Sequence, residues 1–208
     1  MARWEPGTRE RLQAAALDLF VSQGFDETTA SGIASSAGVT ERTFFRHFSD
    51  KREVLFEGQH LLADRFTAGV DDAPEGAGPA ELVAAALRGA SGFFPDDRRA
   101  WSRRRQTVID AHPALQEREL LKLAGLARDV AAVLAARGVA EPAASLAGQA
   151  CLAVFGVAFG LWIAEGETRS FAELASLVHG ELGRVAAVPA RRPAGPPARP
   201  PSGPQMPT

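Results

Sequence analysis

The sequence predicts an all-α protein of about nine helices, and three observations lead to that fold class. Apolar residues recur at helical spacing along most of the chain, and no segment alternates over two residues with β-branched enrichment. Capping residues, prolines and glycines flank these runs where helices would begin and end. The 208 residues, 46% of them hydrophobic and 23% charged, are enough to bury a core without disulfides.

The first helix, predicted over residues 8–23, shows the pattern most clearly. One of its faces carries the apolar residues Leu12, Ala15, Ala16, Leu19 and Phe20. Thr8 is a candidate N-cap and Gly24 a candidate left-handed exit. Similar signals predict the later helices. The fourth helix is predicted to begin at a capping box formed by Asp50 and Glu53 and to end at a loop over 71–79. The other predicted helices are 30–37, 40–47, 79–92, 97–111, 113–137, 142–164 and 171–187.

Composition excludes several classes of protein. A single cysteine, Cys151, excludes an internal disulfide framework and a multi-cysteine metal site. The four histidines are scattered, and no phosphate-binding loop, nucleophile elbow or dinucleotide fingerprint is present, so we expect no enzyme activity, cofactor or metal. The net charge of −2 disfavours a protein that coats nucleic acid but leaves room for a local basic patch. The polar N-terminus lacks the apolar run of a signal peptide, which favours the cytoplasm.

Residues 28–51 have the spacing of a helix-turn-helix. Ile33 gives the first short helix an apolar contact, and Gly38 suits the tight turn that follows. Phe44 and Phe48 face the first helix, which leaves the second helix an outward face. That face consists of Glu41, Arg42, Phe45, Arg46 and His47. Because arginine can bind guanine edges bidentately in the major groove, the spacing predicts a DNA recognition helix.

The segment 143–164 runs for 22 residues without a charge, which is long enough to span a bilayer. Its Ala- and Gly-rich composition and its flanks without Lys or Arg clusters argue against a membrane span. A helix that is apolar on all sides must be covered on all sides, and in so small a helical protein a second subunit is the simplest cover. Gly148, Gly156 and Gly160 would allow a partner helix to approach closely. The segment therefore predicts a homodimer without a membrane partner.

Residues 8–56 resemble the TetR family of one-component transcriptional regulators. The resemblance is carried by LFVSQGFDETT and IASSAGVTERTFFRHFSDKREVL, which agree with the family pattern at fixed spacing and without gaps. Two positions depart from it. Phe45 lies where many members have tyrosine, so a phenolic hydroxyl is missing, and Ser31-Gly32 replaces a more polar pair, which weakens the positioning helix.

The resemblance implies a function and a set of DNA contacts. By position, the contacts are Thr29, Thr40, Arg42, Thr43, Phe45, His47 and Lys51; Arg46 joins them from its place on the outward face. Arg42 and Arg46 would read bases, while Thr29, Thr40 and Lys51 would hold phosphates. The family implies a homodimeric, ligand-released repressor that binds a palindromic double-stranded DNA operator and associates with the nucleoid in the cytoplasm.

The same resemblance divides the chain into three parts. Residues 1–52 would form the DNA-binding domain, and 53–188 the ligand-binding and dimerisation domain. The segment 189–208, with eight prolines and three arginines, is predicted to be a disordered tail. The last two helices would form the dimer interface, for which the candidates are Gly148, Leu152, Gly156, Gly160, Leu174 and Val178.

An effector pocket is expected among apolar residues of the larger domain. The candidates are Trp101, Arg105, Val108, Ile109, Phe155 and Phe159, each of which could equally be ordinary core. Trp101, Arg105 and Val108 share one helix face, so Arg105 could point inward, where a buried charge requires an anion. This predicts an effector with an apolar body and an anionic end, such as a fatty-acyl thioester or an aromatic acid. The alternative is that the arginine run at 98–105 is a solvated face.

A second class of function stays open at this point. The chain could form a helical dimer that binds a ligand or a protein without sequence-specific DNA binding. Salt-dependent, sequence-selective binding to duplex DNA distinguishes the two classes, because only a DNA reader shows both properties.

Overall fold

The computed structural model describes residues 7–187, and within them the chain is all-α, as predicted. Its α-helices are α1 (Thr8–Gln23), α2 (Ala30–Ser36), α3 (Glu41–His47), α4 (Gln59–Asp71), α5 (Pro79–Ser91), α6 (Arg99–Asp110), α7 (Pro113–Ala136), α8 (Ala143–Trp162) and α9 (Phe171–Ala186). Two 3-10 helices cover Glu53–Phe56 and Asp96–Arg98. Apart from the start of α4, the bounds agree with the predicted ones to within two residues. The predicted tail at 189–208 lies outside the described residues.

The start of the fourth helix differs from the prediction because the capping box forms only in part. The Asp50 carboxylate accepts hydrogen bonds from the backbone N–H of Arg52 at 2.7 Å and of Glu53 at 3.1 Å. The Glu53 side chain does not return to the cap; it pairs with Arg118 of α7 instead. The turn that results is the 3-10 helix Glu53–Phe56, and Gly58, at φ +81°, separates it from α4.

The ends of two other helices test the capping predictions. Thr8 is the first residue of α1 rather than its cap, a position that Gly7 occupies. Gly24 has the predicted positive φ of 92°, but its ψ of 157° places it in an extended conformation open mainly to glycine, not in the left-handed helical region. The capping box at α9 forms as predicted, since Ser170 and Glu173 exchange both hydrogen bonds.

Two hydrophobic cores organise the described residues. The first, which we call the head core, is built by α1–α3 and continues through Val54, Leu55 and Phe56 of the 3-10 helix. The second, the body core, is shared by α4, α5, α7, α8 and α9. Because α6 supplies Val108 and Ile109 to the head core, it joins the head core to the rest of the protein.

Helices α4 and α5 approach each other through two glycines. A Cβ atom on Gly89 would lie far inside van der Waals contact with the Arg65 carbonyl oxygen, and one on Gly69 would meet the Ala85 carbonyl in the same way. In both cases the obstacle is backbone rather than a flexible side chain. The closest approach of these two helices therefore depends on glycine at both positions.

Gly89→Ala is expected to destabilise the protein by about 1–3 kcal/mol, because a methyl group must force α4 and α5 apart. Denaturant unfolding measures the effect. Gly125→Ala, in the middle of α7, is the matched control, since its Cβ would meet no atom closer than 3.9 Å. Alanine there should be neutral or stabilising, because it raises helix propensity. Equal unfolding midpoints for the two variants would contradict the close approach.

Helix α8 leaves most of its apolar surface uncovered within one chain. By length and composition α8 could span a bilayer, but the core helix of a non-membrane protein can have the same length and composition. Only 33% of the most apolar 18-residue window of α8 is buried. Ala144, Cys151, Ala158 and Trp162 form its buried side. The other side requires a cover that residues 7–187 of this chain do not supply.

Candidate DNA-binding face and ligand cavity

The junction between α2 and α3 has the geometry of a tight interhelical turn. The backbone N–H groups of Ala37 and Val39 donate to the carbonyls of Ile33 and Ala34, and Gly38 takes φ +70° between them. Ile33, Ala34 and Phe44 are fully buried, so the two short helices are locked together by apolar contacts. Because the angle between the helices is fixed in this way, the outward side of α3 is a rigid surface.

The outward face of α3 presents two arginines. Arg42 and Arg46 are exposed, and no hydrogen bond or ion pair from residues 7–187 engages either guanidinium. Phe45, 52% exposed, lies beside them and rests its ring edge on the buried Phe44 at 5.3 Å. The three side chains thus offer two cations and an aromatic ring on one exposed helical surface.

Three threonines hold the starts of α2 and α3. Thr29 Oγ1 accepts the Gly32 N–H at 3.0 Å and caps α2. Thr40 Oγ1 accepts the Thr43 N–H at 3.2 Å and caps α3, and the hydroxyls of these two residues lie 3.0 Å apart. Thr29 and Thr40 are exposed and Thr43 is half-buried. Their first role is local, because they satisfy N–H groups that would otherwise lack partners.

His47 does not face outward as the helical spacing predicted. It is half-buried, its ring lies 6.4 Å from that of Phe48, and its Nε2 atom is buried without a hydrogen-bond partner among the described residues. The last turn of α3 rotates this edge of the imidazole toward the protein. A base contact would require the ring to turn, so the structure argues against that role.

Lys51 is engaged inside the protein. Its Nζ atom donates to the carbonyls of Phe25, Asp26 and Thr28 at 2.7, 3.1 and 2.9 Å, and it lies 4.4 Å from the centre of the Phe25 ring. An ammonium has three donors, and all three are used. The residue therefore ties the loop after α1 to the turn after α3, and the structure argues against the predicted phosphate contact.

Ion pairs and one buried hydrogen bond connect the head core to the body. Glu53 pairs with Arg118 and Lys122 of α7, and Asp18 of α1 accepts from Arg104 of α6 at 2.7 Å. Deeper in, Arg105 Nε donates to the Leu55 carbonyl at 2.6 Å. Any movement of α6 relative to α7 will therefore also displace the segment that carries the helix-turn-helix.

A cavity of about 380 Å³ lies between this segment and the body. Its wall includes four of the six predicted pocket residues, Trp101, Arg105, Phe155 and Phe159. Val108 and Ile109 are not part of it, because they are buried in the head core. Other residues complete the wall, among them Leu55, Gln59, Leu62, Phe93, Phe94, Arg98, Ser102, Glu119, Leu123 and Ile163. Gln59 and Leu62 come from α4 and Glu119 and Leu123 from α7, and the contribution of these two helices is a property of tertiary packing.

The arginine run at 98–105 is not a solvated face. Arg99 and Arg103 donate to backbone carbonyls at 163–169, where α8 ends, which suits the negative end of the α8 dipole. Arg105 is largely buried and forms an ion pair with Glu119 at 3.0 Å. Burial lowers the pKa of Arg105, an effect that Glu119 opposes. The counter-anion that the sequence required for Arg105 is thus supplied by the protein itself.

The predicted dimer-interface residues fall on two different surfaces. Gly148 is buried against α7, where a Cβ would lie 2.5 Å from the Ala127 carbonyl, and Leu174 is fully buried in the body core. These two assignments are wrong, because both residues pack within the chain. Gly156 and Gly160 are exposed, while Leu152 and Val178 are half-buried at the edge of the body core. The exposed apolar side chains nearby, which the sequence did not distinguish, are Leu146, Val157, Leu161 and Leu177.

Cys151 has no chemical role that the structure supports. It is fully buried in the body core, and burial raises the pKa of its thiol to about 12. A thiol in that state is protonated and unreactive at neutral pH. No group of three or more potential metal ligands occurs among residues 7–187.

These features together define a protein in which an N-terminal helix-turn-helix is joined to a helical body with a ligand-sized cavity. Two family models match the chain. Residues 12–57 match the bacterial regulatory proteins of the tetR family, and residues 77–188 match the MftR C-terminal domain of TetR proteins. The chain belongs to the TetR family, whose members are regulators.

Three known proteins illustrate the likeness. The transcriptional regulator TcmR of Streptomyces glaucescens is 37% identical over 89 residues, which is 43% of this chain and 39% of that protein. The FadR repressor of Thermus thermophilus, solved with lauroyl-CoA, shares 24% identity over 91% of this chain and 99% of its own, with a TM-score of 0.52. Bacillus subtilis FadR, solved with stearoyl-CoA, is 16% identical over 83% of this chain and 96% of its own, with a TM-score of 0.59. The two structures share the fold, and the alignment to TcmR spans less than two thirds of that protein.

Proposed function

We propose that this protein is a homodimeric transcriptional repressor that binds a palindromic operator and is released by a small molecule. The observation that carries the proposal is the outward face of α3, where Arg42 and Arg46 are exposed and pair with no residue in 7–187, on a helix fixed by buried aromatic residues. Unpaired arginines on a rigid helical surface match the donor pattern needed for guanine edges in the major groove. We place the protein in the cytoplasm, where its DNA partner lies.

Each side chain of the face has its own part in the proposal. Arg42 and Arg46 read bases, and Phe45 contacts a thymine methyl group. The exposed hydroxyls of Thr29 and Thr40, with Thr43 beside them, contact phosphates. We do not propose Lys51 and His47 as direct DNA contacts. The Lys51 ammonium already donates to backbone carbonyls, and the Nε2 atom of His47 is buried in the protein.

Dimerisation is supported by the uncovered side of α8. An exposed stripe of Leu146, Val157 and Leu161 continues through the open glycines 156 and 160. Leu177 of α9 adds to it. A second copy of the chain, related by a two-fold axis, would present the same stripe and would set two recognition helices about one DNA turn apart.

Ligand release is supported by where the cavity lies. Its wall includes Leu55 and Gln59, on either side of the junction between the head and α4, as well as residues of α6 and α7. A ligand that fits one arrangement of these elements better than another shifts the equilibrium by its difference in affinity. The two FadR proteins named above, which share this fold, were solved with acyl-CoA molecules bound.

In vitro selection from random duplex DNA tests the proposal. A repressor of this kind enriches a palindrome with regularly spaced half-sites, and its binding weakens as salt rises. A folded dimer that enriches no sequence at moderate salt would contradict the proposal and favour a helical module that binds only a ligand or a protein.

Arg46→Ala is expected to weaken binding to the selected operator by about 1–3 kcal/mol, because a bidentate base contact is lost. Binding to random DNA should change much less. Titration of both DNAs by fluorescence anisotropy measures the two affinities. Arg128→Ala is the control, since Arg128 is an equally charged and exposed residue on α7. A loss of the same size on operator and random DNA would show that Arg46 holds a phosphate instead.

A further inference from the structure

The cavity holds two arginines in different states. Arg105 is satisfied by Glu119 and the Leu55 carbonyl. The Arg98 guanidinium forms no hydrogen bond or ion pair with any residue in 7–187, although its neighbour Asp97 is acidic. Burial and the positive charge of Arg105 both lower the pKa of Arg98. The cavity wall thus contains a cation whose charge no group in the described part of the chain neutralises by contact.

The surroundings of Arg98 leave its donors available. Its guanidinium carbon lies 4.3 Å from the centre of the Phe93 ring and 5.2 Å from that of Trp101. Aromatic rings pack against the flat faces of a guanidinium, so the N–H groups at its edge remain free for a planar anion. A carboxylate is the matching shape, because it accepts two parallel hydrogen bonds.

Two further polar groups in the wall lack partners. The Ser102 side chain is 2% exposed and makes no hydrogen bond within the described chain, and it lies one turn of helix beyond Arg98. The Oε1 atom of Gln59 is buried without a hydrogen-bond partner. Buried polar groups are normally satisfied, so unpaired ones that line a cavity indicate a ligand with complementary groups.

The size of the cavity limits the ligand. A volume of 380 Å³ corresponds to about thirteen water molecules at about 30 Å³ each. That space fits a compact molecule, whereas a thioester carrying a nucleotide would leave its larger part outside. The apolar part of the wall includes Phe94, Phe155 and Phe159, which are in mutual ring contact at 5.6–6.0 Å.

We propose that the effector is a compact aromatic or medium-chain carboxylate, with its anionic group bound by Arg98 and Ser102 and its apolar body packed on these phenylalanines. Arg98, rather than the Arg105 expected from the sequence, is the specificity-determining residue. The inference rests on the proposed function only for the effect of the ligand on DNA binding. An anion at Arg98 competes with Glu119 for the neighbouring Arg105, which donates a hydrogen bond to the Leu55 carbonyl in the 3-10 helix that follows the helix-turn-helix.

Calorimetric titration of the purified full-length protein, without DNA, tests the inference. The probes are 2-naphthoate, its neutral counterpart 2-naphthylmethanol, decanoate and lauroyl-CoA. We expect the carboxylates to bind at least ten-fold more tightly than the neutral alcohol. Arg98→Met should remove that preference, Arg98→Lys should keep part of it, and Arg128→Met, a change on the exposed side of α7, should leave it unchanged.

The outcomes separate the inference from the proposed function. Equal binding of naphthoate and its alcohol, no heat from either carboxylate, or a carboxylate preference that survives Arg98→Met would overturn the inference. Binding of lauroyl-CoA alone would overturn it as well, because the ligand would then be recognised outside the cavity. If carboxylates bind through Arg98 but the protein selects no DNA sequence, the inference stands and the proposed repressor function fails.

Discussion

A Val157→Glu substitution is expected to turn the protein into a monomer and to abolish tight binding to a palindromic operator. Val157 is 56% exposed in the single chain, on the stripe that includes Leu161 and the open glycines 156 and 160. If a second copy covers this stripe, the two-fold axis places each new carboxylate in an apolar interface without a counter-ion. The folded subunit itself loses little, because the side chain makes few contacts within it.

The effect on DNA binding follows from the loss of bivalency. When two heads are joined, the second half-site is bound at a high effective concentration, which raises affinity by about 10²–10⁴-fold. Val157→Glu should remove most of that gain. Sedimentation measures the mass, and anisotropy with one or two half-sites measures the affinities. Leu120→Glu is the control, since Leu120 is 67% exposed on α7 and lies outside the stripe. A Val157→Glu dimer with unchanged operator affinity would refute the α8 interface.

Features set by local sequence were predictable. The helix-turn-helix depends on Gly38, on the caps Thr29 and Thr40 and on the spacing of the buried Phe44, all of which act within a few residues of each other. The 3.6-residue period and the capping residues placed most helix ends within two residues. At 50–58 a local pattern misled, because Glu53 pairs with residues of α7 and Gly58 separates the 3-10 helix from α4.

Features set by long-range packing were not predictable. Gly148 and Gly156 look alike in the sequence, yet one contacts the α7 backbone and the other has open space around it. Helical periodicity predicted that Arg105 and Val108 lie on one side of α6. In the structure, the head core extends far enough along that helix to bury Val108. That the Arg98 guanidinium has no acidic partner among residues 7–187 depended on where the acidic residues lay, which no sequence pattern discloses.

Lys51→Met is expected to destabilise the DNA-binding head by about 2–4 kcal/mol in the absence of DNA. The ammonium donates to three backbone carbonyls, of Phe25, Asp26 and Thr28, that belong to the loop between α1 and α2. Hydrogen bonds to a charged group contribute about 1.5–3 kcal/mol each where they are shielded, and less where water can replace them. Methionine keeps the aliphatic stem and its contact with the Phe25 ring but satisfies none of the carbonyls.

Thermal and denaturant unfolding of the DNA-free protein measure this loss, and Arg52→Met provides the control. Arg52 is the next residue, is exposed, and pairs only with the nearby Asp50, so its removal should change stability little. Lys51→Met should also weaken operator and random DNA together, because the helix-turn-helix is held less firmly. The phosphate role implied by the resemblance makes a different prediction. Stability would stay constant, while the number of counterions released on DNA binding, measured from its salt dependence, would fall by about one. The three carbonyl contacts favour the first outcome, in which Lys51 serves DNA binding by fixing the loop that positions α2 and α3.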